Sequence, residues 1–148
     1  MARDLPAHAD EQAVRAAVGG LGPAIELADV EFAPNDIEAI LAANIYQRHV
    51  IVGAPDSRFA GAKLDGLTGR VMRNELETVI VTDLESNTGR IFDIVRNVAN
   101  VLGAFGETLR AGEIIIAGSV IPPMFVESTD DSVAFALDPT GAVSVQFG

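Results

Sequence analysis

Apolar residues recur at helical spacing most clearly in the stretch "NTGRIFDIVRNVANVLGAFG". A repeat of three and four residues places side chains on one face of a helix. The pattern predicts a helix over Ile91–Leu102 that ends at Gly103 or Gly106, because glycine is a common residue at helix ends. Its buried side is expected to consist of Ile94, Val95, Val98 and Leu102.

Two shorter helices are predicted nearer the start of the chain. The first lies in "HADEQAVRAAVGGLG", where Asp10 is a suitable N-cap and Gly19-Gly20 ends the apolar pattern. The second lies in "PNDIEAILAANI", where Asn35 and Glu38 have the spacing of a capping box. Its apolar side would carry Ile37, Ile40, Leu41 and Ile45.

Runs of apolar and alternating residues predict more strand than helix. Early strands are expected in "PAIELADVEF", "HVIVG", "RVMRN" and "ETVIVTD". Three later strands are predicted over Ile114–Ala117, Val133–Leu137 and Val143–Phe147, with "DPTG" as the turn between the last two. No repeat or linker interrupts the sequence, so residues 1–148 are expected to form a single α+β domain.

Composition and charge exclude several classes of protein. The net charge is −11 with ten basic residues and no basic cluster, so no nucleic acid and no anionic membrane is expected as a partner. There is no cysteine for a disulfide or a thiolate site. The longest apolar stretch, Ile114–Val126, is interrupted by Gly118, and "MARDLPAHADEQ" lacks a signal-peptide core. A cytoplasmic protein is expected, and its 49% hydrophobic content predicts a homo-oligomer.

Few residues are candidates for chemistry when the sequence is considered without comparison. Glu26 lies between Ile25 and Leu27 in a predicted strand, where it is either a solvent-facing residue or an oxygen ligand for Mg²⁺ or Mn²⁺. Asp29 and Glu31 fall on the opposite face of that strand. His49 is better explained as a structural histidine than as a base, and His8 lies in the N-terminal segment.

Other polar positions have simpler interpretations. Ser119 follows Gly118 without the surrounding glycines of a nucleophile elbow, so a serine nucleophile is not expected. The run "GGLG" lacks the Lys-Ser/Thr of a phosphate loop. Asp130-Asp131 is interpreted as a solvated turn.

The tail of the chain resembles a known family. The run "LRAGEIIIAGSVIPPM" and the closing "GAVSVQF" are similar to the C-terminal signature of the 2-keto-4-pentenoate hydratase family, in the fumarylacetoacetate hydrolase superfamily. The resemblance continues through the predicted helix Ile91–Leu102 to "LGPAIELAD" and "RDLP", and so covers nearly the whole chain. It implies a mixed β-roll of the superfamily's C-terminal type with flanking helices.

The resemblance also implies a metal site. Family members hold Mg²⁺ or Mn²⁺ with a Glu-x-Glu pair on one strand and a third acidic residue, whose position matches Glu26. The cation binds the keto-acid end of the substrate. The Glu-x-Glu strand precedes the part that resembles this chain, so the N-terminal half of a usual member is absent and Glu26 is the single inherited ligand, expected to bind metal weakly.

The acid/base residues of the family are missing as well. Members carry a lysine in the region that matches "EFAPNDIEAILAANIYQ", whereas Lys63 is the only lysine of this chain. Asp36 and Glu38 are poor substitutes by position, so no catalytic residue is assigned. The segment "LESNTGRIFD" also lacks the Gly-x-Pro found in members before the helix.

Three functions remain open on this reasoning. The first is a lyase of small 2-keto acids, a hydro-lyase or decarboxylase, with its missing half supplied by a partner subunit. The second is a non-catalytic module that binds a small molecule or assembles subunits. The third is a metal-free cyclase. Gly118, Ser119 and Ile121 are either a plain turn that ends a strand or, as we expect, a pocket rim that faces the strand carrying Glu26 and binds a small carboxylate or keto acid. Without such a pocket, the assembly module would be the better interpretation.

Overall fold

The computed structural model of the protein describes residues 1–33 and 35–148. These residues form three α-helices, one short 3₁₀ helix at Ser57–Phe59 and six strands in two sheets, which confirms the predicted α+β class. The helices are α1 (Glu11–Ala17), α2 (Ile37–Ala42) and α3 (Ile91–Ala104). The strands are β1 (Ala24–Ala28), β2 (Gln47–Val52), β3 (Thr68–Arg73), β4 (Leu76–Val81), β5 (Ser132–Asp138) and β6 (Gly141–Gln146).

All the ladders between these strands are antiparallel. β1 pairs with β2 in a two-stranded sheet, and the other four strands form a sheet in the order β4-β3-β5-β6. The β3–β4 hairpin turns at Asn74 and Glu75, whose φ values of 50° and 65° match the twist of a tight two-residue turn. The mixed β-roll with flanking helices implied by the family resemblance remains a prediction.

Helix α3 confirms the clearest sequence pattern. It runs for 14 residues, and Val95 is buried while Ile94, Val98 and Leu102 are half-buried. Phe92 and Ala99 complete its buried side. In the part of the chain that the structure describes, no helix has both the length and the apolar character needed to cross a bilayer.

The core consists of two clusters. The first packs α1 and α3 against the N-terminal segment and Leu109, and the second lies under the four-stranded sheet. Leu21 contacts both clusters, so it joins them into continuous packing. The buried members of the first are Leu5, Val14, Ala17, Val18, Phe92, Val95, Ala99 and Leu109; those of the second are Phe59, Leu67, Leu84 and Leu137.

Helix α2 differs from its prediction at both ends. Its N-cap is Asp36, whose carboxylate accepts a hydrogen bond from the Ala39 N–H at 3.1 Å, so the expectation of Asn35 was wrong by one residue. Ile45 lies beyond the helix in a left-handed conformation, with φ of 53°. None of the residues of α2 is buried, whereas the apolar stripe predicted a core-facing helix. Pro34, which opens the predicted segment, lies outside the described residues.

The segment Ile114–Ala117 is not a strand, and this is the main departure from the predicted elements. It runs without a turn or bend from Glu113 to Ser119, but it belongs to no ladder. A strand requires a neighbouring strand that accepts and donates backbone hydrogen bonds along its edge. None of the described residues forms such a neighbour for this segment. The later strands are confirmed, with β5 at Ser132–Asp138 and β6 at Gly141–Gln146.

Candidate functional site

Glu26, the predicted metal ligand, lies in the middle of β1 with its side chain exposed. Its cross-strand partner in β2 is Val50, whose side chain supplies no oxygen ligand. His49 is also exposed, and it pairs with Leu27 rather than with Glu26. Successive residues of a strand face opposite sides, so the β1–β2 ladder does not place His49 beside the Glu26 carboxylate.

The other acidic residues near β1 do not complete a metal site. Glu31 forms an ion pair with Arg48, with 2.6 Å between Oε2 and Nη2. Across residues 1–33 and 35–148, no group of three histidine, aspartate or glutamate side chains could hold a metal ion. Mg²⁺ and Mn²⁺ prefer several oxygen ligands in a defined geometry. The donor set that these residues offer therefore does not fit such a cation, and we assign no chemical step to one.

The turn at Gly118 and Ser119 is held by the loop before α3. Gly118 has φ of 96°, a conformation that side chains rarely adopt. A Cβ at this position would lie 3.0 Å from Cγ2 of Thr88. The Asn87 amide donates a hydrogen bond of 2.7 Å to the Ser119 carbonyl oxygen, and a longer one of 3.4 Å to that of Ile121. These contacts fix the backbone path after the isoleucine run.

An open groove of about 430 Å³ lies beside this turn. Its walls are the exposed strand β4 at Val79–Val81, the loop that carries Asp83 and Asn87, and the segment Val120–Pro122. Ile121 is among the residues that line this groove. Gly118, Ser119 and Glu26 are not among its lining residues, and the lining includes no lysine or arginine. Ser119 is exposed, and its hydroxyl makes no hydrogen bond with the described residues.

Asp131 is the polar residue that the sequence interpretation missed. It was expected in a solvated turn with Asp130, but it is only 4% exposed. Its carboxylate accepts hydrogen bonds from the Arg73 guanidinium at 2.5 Å, the Asn74 amide at 3.0 Å, and the backbone N–H groups of Glu127 and Ser128 at 2.9 and 3.1 Å. The Asn74 amide is the largest of the causes that hold the pKa of Asp131 far below its usual range.

The Asp131 contacts join three parts of the chain, the β3–β4 turn, the irregular segment before β5 and the start of β5 itself. Its role is structural, since it contacts no groove residue named above. Neighbouring Asp130 is exposed as predicted. Nothing in the local sequence "STDDSV" distinguishes the two aspartates, because both side-chain donors to Asp131, Arg73 and Asn74, are distant in the chain.

No family model matches the sequence. Two solved structures of 4-oxalocrotonate decarboxylase from Pseudomonas putida G7 are similar to the chain. One, complexed with calcium and acetate, has a TM-score of 0.77 at 22% identity. The other, complexed with magnesium and adipate, has a TM-score of 0.81 at 21% identity. Each match covers 99% of this chain.

The chain spans little more than half of these neighbours, 57% of one and 56% of the other. The similarity is in the path of the backbone, since about four residues in five differ. The chain therefore has the fold of the corresponding part of a decarboxylase whose structures contain a divalent cation and a carboxylate.

Proposed function

We propose that this chain is part of a lyase for small 2-keto acids, a hydro-lyase or a decarboxylase, whose site is completed by polypeptide beyond these residues. The observation that supports this most is the backbone similarity, over 99% of the chain, to a decarboxylase of which the chain spans only 57% and 56% in the two structures. The family resemblance of the "LRAGEIIIAGSVIPPM" run points in the same direction, and it would place the chain as the C-terminal part of a hydratase-type domain with a β-roll.

Glu26 is the residue that this chain would contribute to a metal site. Its exposed carboxylate on β1 is accessible to a second polypeptide. An Mg²⁺ or Mn²⁺ ion bound there would need its other ligands from that polypeptide, because a single carboxylate leaves most positions of the cation to water. We expect calorimetric titration of the chain alone with Mg²⁺ or Mn²⁺ to show weak or no binding. Micromolar binding would contradict this assignment.

Gly118, Ser119 and Ile121 are the proposed binding residues for a small carboxylate or keto acid. The Ser119 hydroxyl is exposed, and the backbone N–H groups on both sides of it make no hydrogen bond with the described residues. Hydroxyl and backbone N–H groups are suitable donors to a carboxylate. Gly118 lacks a side chain that would block their approach. The acetate and adipate in the similar structures support this class of ligand.

Binding of pyruvate or oxalate, followed by NMR titration, tests the proposed ligand site. We expect weak binding that shifts the amide signals of residues 117–121, because the proposed binding residues include no lysine or arginine that would strengthen the interaction. Ser119→Ala should weaken it, whereas Ser144→Ala, an exposed serine on β6, should not. Shifts confined to other residues, or equal effects of the two variants, would contradict the ligand site.

A second candidate is a non-catalytic module of the same fold that assembles subunits. The specific observation in its favour is helix α2, whose apolar side chains Ile37 and Leu41 are 66% and 62% exposed. Reconstitution distinguishes the candidates. Mixing the chain with the polypeptide that completes the fold should produce turnover of a 2-keto acid if the lyase proposal is correct, and a stable inactive complex if the module proposal is correct.

A further inference from the structure

The backbone of Ile114–Ala117 lacks the hydrogen bonds that its sequence leads one to expect. Neither its N–H nor its C=O groups bond to any residue that the structure describes. Yet three consecutive isoleucines are typical of a strand, and this segment is half-buried except at Ile114, which is 64% exposed. Backbone polar groups in such a position are normally paired, since leaving them unpaired costs free energy.

The residues just before this segment show what a pairing would look like. The N-terminal segment lies antiparallel to residues 109–113, with a bridge between Leu5 and Leu109. The Gly112 N–H donates to the Met1 carbonyl oxygen at 2.9 Å, and the Met1 amino group donates to the Glu113 carbonyl oxygen. If the antiparallel register between the N-terminal segment and residues 109–113 is extended past Met1, the next positions on the N-terminal side lie opposite Ile114–Ala117. Among the described residues no strand occupies that line.

We propose that Ile114–Ala117 is a strand position that pairs antiparallel with a β-strand of a partner polypeptide. Unpaired N–H and C=O groups along an extended segment specify an extended occupant, because a helix satisfies its own backbone internally. The occupant should carry apolar side chains to pack on the isoleucines, and it should end or turn away where Met1 already pairs with Glu113.

A partner polypeptide fits this position better than a second copy of the chain. In two copies, Met1 of each already pairs beside Glu113, so symmetric pairing could match only the four residues Ile114–Ala117. About 43% of the similar decarboxylase chain lies outside the match, since the match covers 57% of it, and this is ample to include a strand. The proposal rests on the proposed function for the source of the strand, and on the unpaired backbone for its position.

Hydrogen exchange measured by mass spectrometry tests the pairing without substrate or metal. The probe is an extended peptide of about eight residues with alternating valine and threonine and a lysine at each end. Valine and threonine favour strands, and lysine complements a chain with net charge −11. We expect the amides of residues 114–117 to exchange freely in the dilute chain and about tenfold more slowly with saturating peptide. The same peptide N-methylated at every internal residue has no N–H donor on either edge, so it cannot form the ladder and should give no protection.

Proline variants locate the effect. Successive backbone N–H groups of a strand point to opposite edges. Ile114→Pro therefore removes an N–H donor from one edge of the segment, and Ile115→Pro removes one from the other edge. At least one of them should abolish protection by the peptide. Phe125→Pro is the matched control, since Phe125 is exposed in the same irregular segment and its N–H also bonds to no described residue. Circular dichroism of each variant verifies that the remaining structure is retained.

Several results would overturn the proposal. They are protection of residues 114–117 in the dilute chain alone, no protection by the peptide, and protection that survives both proline variants. Protection that rises with protein concentration without peptide, and that Ile114→Pro abolishes, would identify a second copy as the occupant instead. If the peptide does not pair with Ile114–Ala117, carboxylate binding at Ser119 is unaffected. If no lyase activity is found, the hydrogen-exchange protection by the peptide still stands. The two proposals can therefore fail separately.

Discussion

At the residue scale, Asp131 is the acidic side chain with the most consequence for stability. Four groups donate to its carboxylate, one of them the Arg73 guanidinium. Asp131→Asn removes the negative charge and leaves the donors with a poorer acceptor, so it should lower the urea midpoint clearly. Asp130→Asn, at the exposed neighbour, should change it little. Similar midpoints for the two variants would show that the buried contacts do not matter.

The same residue predicts a dependence of stability on pH. Folding lowers the pKa of the Asp131 carboxyl, mainly through the Asn74 amide and also through the Glu127 N–H and Arg73. A carboxyl with a lowered pKa stabilises the fold above the pH at which the unfolded carboxyl titrates, and this contribution is lost as the pH falls. The free energy of unfolding of the wild type should therefore decrease between about pH 5 and pH 2, and less steeply for Asp131→Asn. Equal slopes in urea titrations would contradict this.

Gly118 offers a test of the turn beside the groove. Gly118→Ala places a Cβ at φ of 96° and 3.0 Å from the Thr88 methyl carbon. Gly112→Ala has the same backbone problem at φ of 87° but open space around the added atom. Both should destabilise by about 1–3 kcal/mol in urea unfolding, with Gly118→Ala the larger. Thr88→Ser removes the methyl group and should recover part of the difference. A Gly118→Ala effect no larger than that of Gly112→Ala would exclude the Thr88 contact.

At the element scale, sequence patterns identified the structures that are determined locally. The helix over Ile91–Leu102, the β3–β4 hairpin and the last two strands depend on periodicity and turn residues within a short stretch of chain. Ile114–Ala117 has an equally apolar sequence, but whether it is a strand depends on a neighbour that this part of the sequence does not specify. The exposure of the apolar side of α2 was not predicted for the same reason. A row of apolar residues on a helix predicts a buried face, but it does not identify the element that buries it.

The site was less accessible from the sequence than the fold. Glu26 and Ile121 were singled out, but they lie on different parts of the structure, and Glu26 does not line the groove that contains Ile121. The carboxylate network of Asp131 escaped prediction because Arg73 and Asn74 are far from it in the chain. Convergence of distant side chains is a property of the tertiary structure, and single-sequence patterns do not contain it.

Helix α3 provides the prediction at this scale. Val95 is 4% exposed in the first core cluster, whereas Val101 on the same helix is 50% exposed. Val95→Ala should destabilise the protein by about 2 kcal/mol, from lost burial and the cavity that remains. Val101→Ala makes the same change in helix propensity without a cavity, and should stay within about 0.5 kcal/mol of the wild type. Thermal unfolding of both variants checks the difference, and equal effects would contradict the assigned orientation of α3.

At the scale of the whole molecule, charge and exposed apolar surface oppose one another. Each chain carries a net charge of −11, which repels a second copy. Yet α2 presents Ile37 and Leu41 without a buried residue of its own, and a helix of six residues gains little stability without packing. Burial of this stripe against a second copy would stabilise both helices. We therefore predict a dimer formed through α2.

The balance between these effects makes the dimer sensitive to salt in a defined direction. Salt screens the repulsion between the two acidic copies, while the burial of apolar side chains persists, so dimerisation should strengthen as salt is raised from about 0.05 M to 0.5 M. Light scattering at micromolar concentration measures this. Leu41→Ser should weaken the dimer, whereas Leu76→Ser, at a leucine that is 71% exposed on β4, should not. A monomer at every salt concentration would contradict self-association. Loss of the dimer in Leu76→Ser alone would place the interface at the edge of the four-stranded sheet instead. Strand β4 forms that edge, and its outer backbone groups are available for pairing.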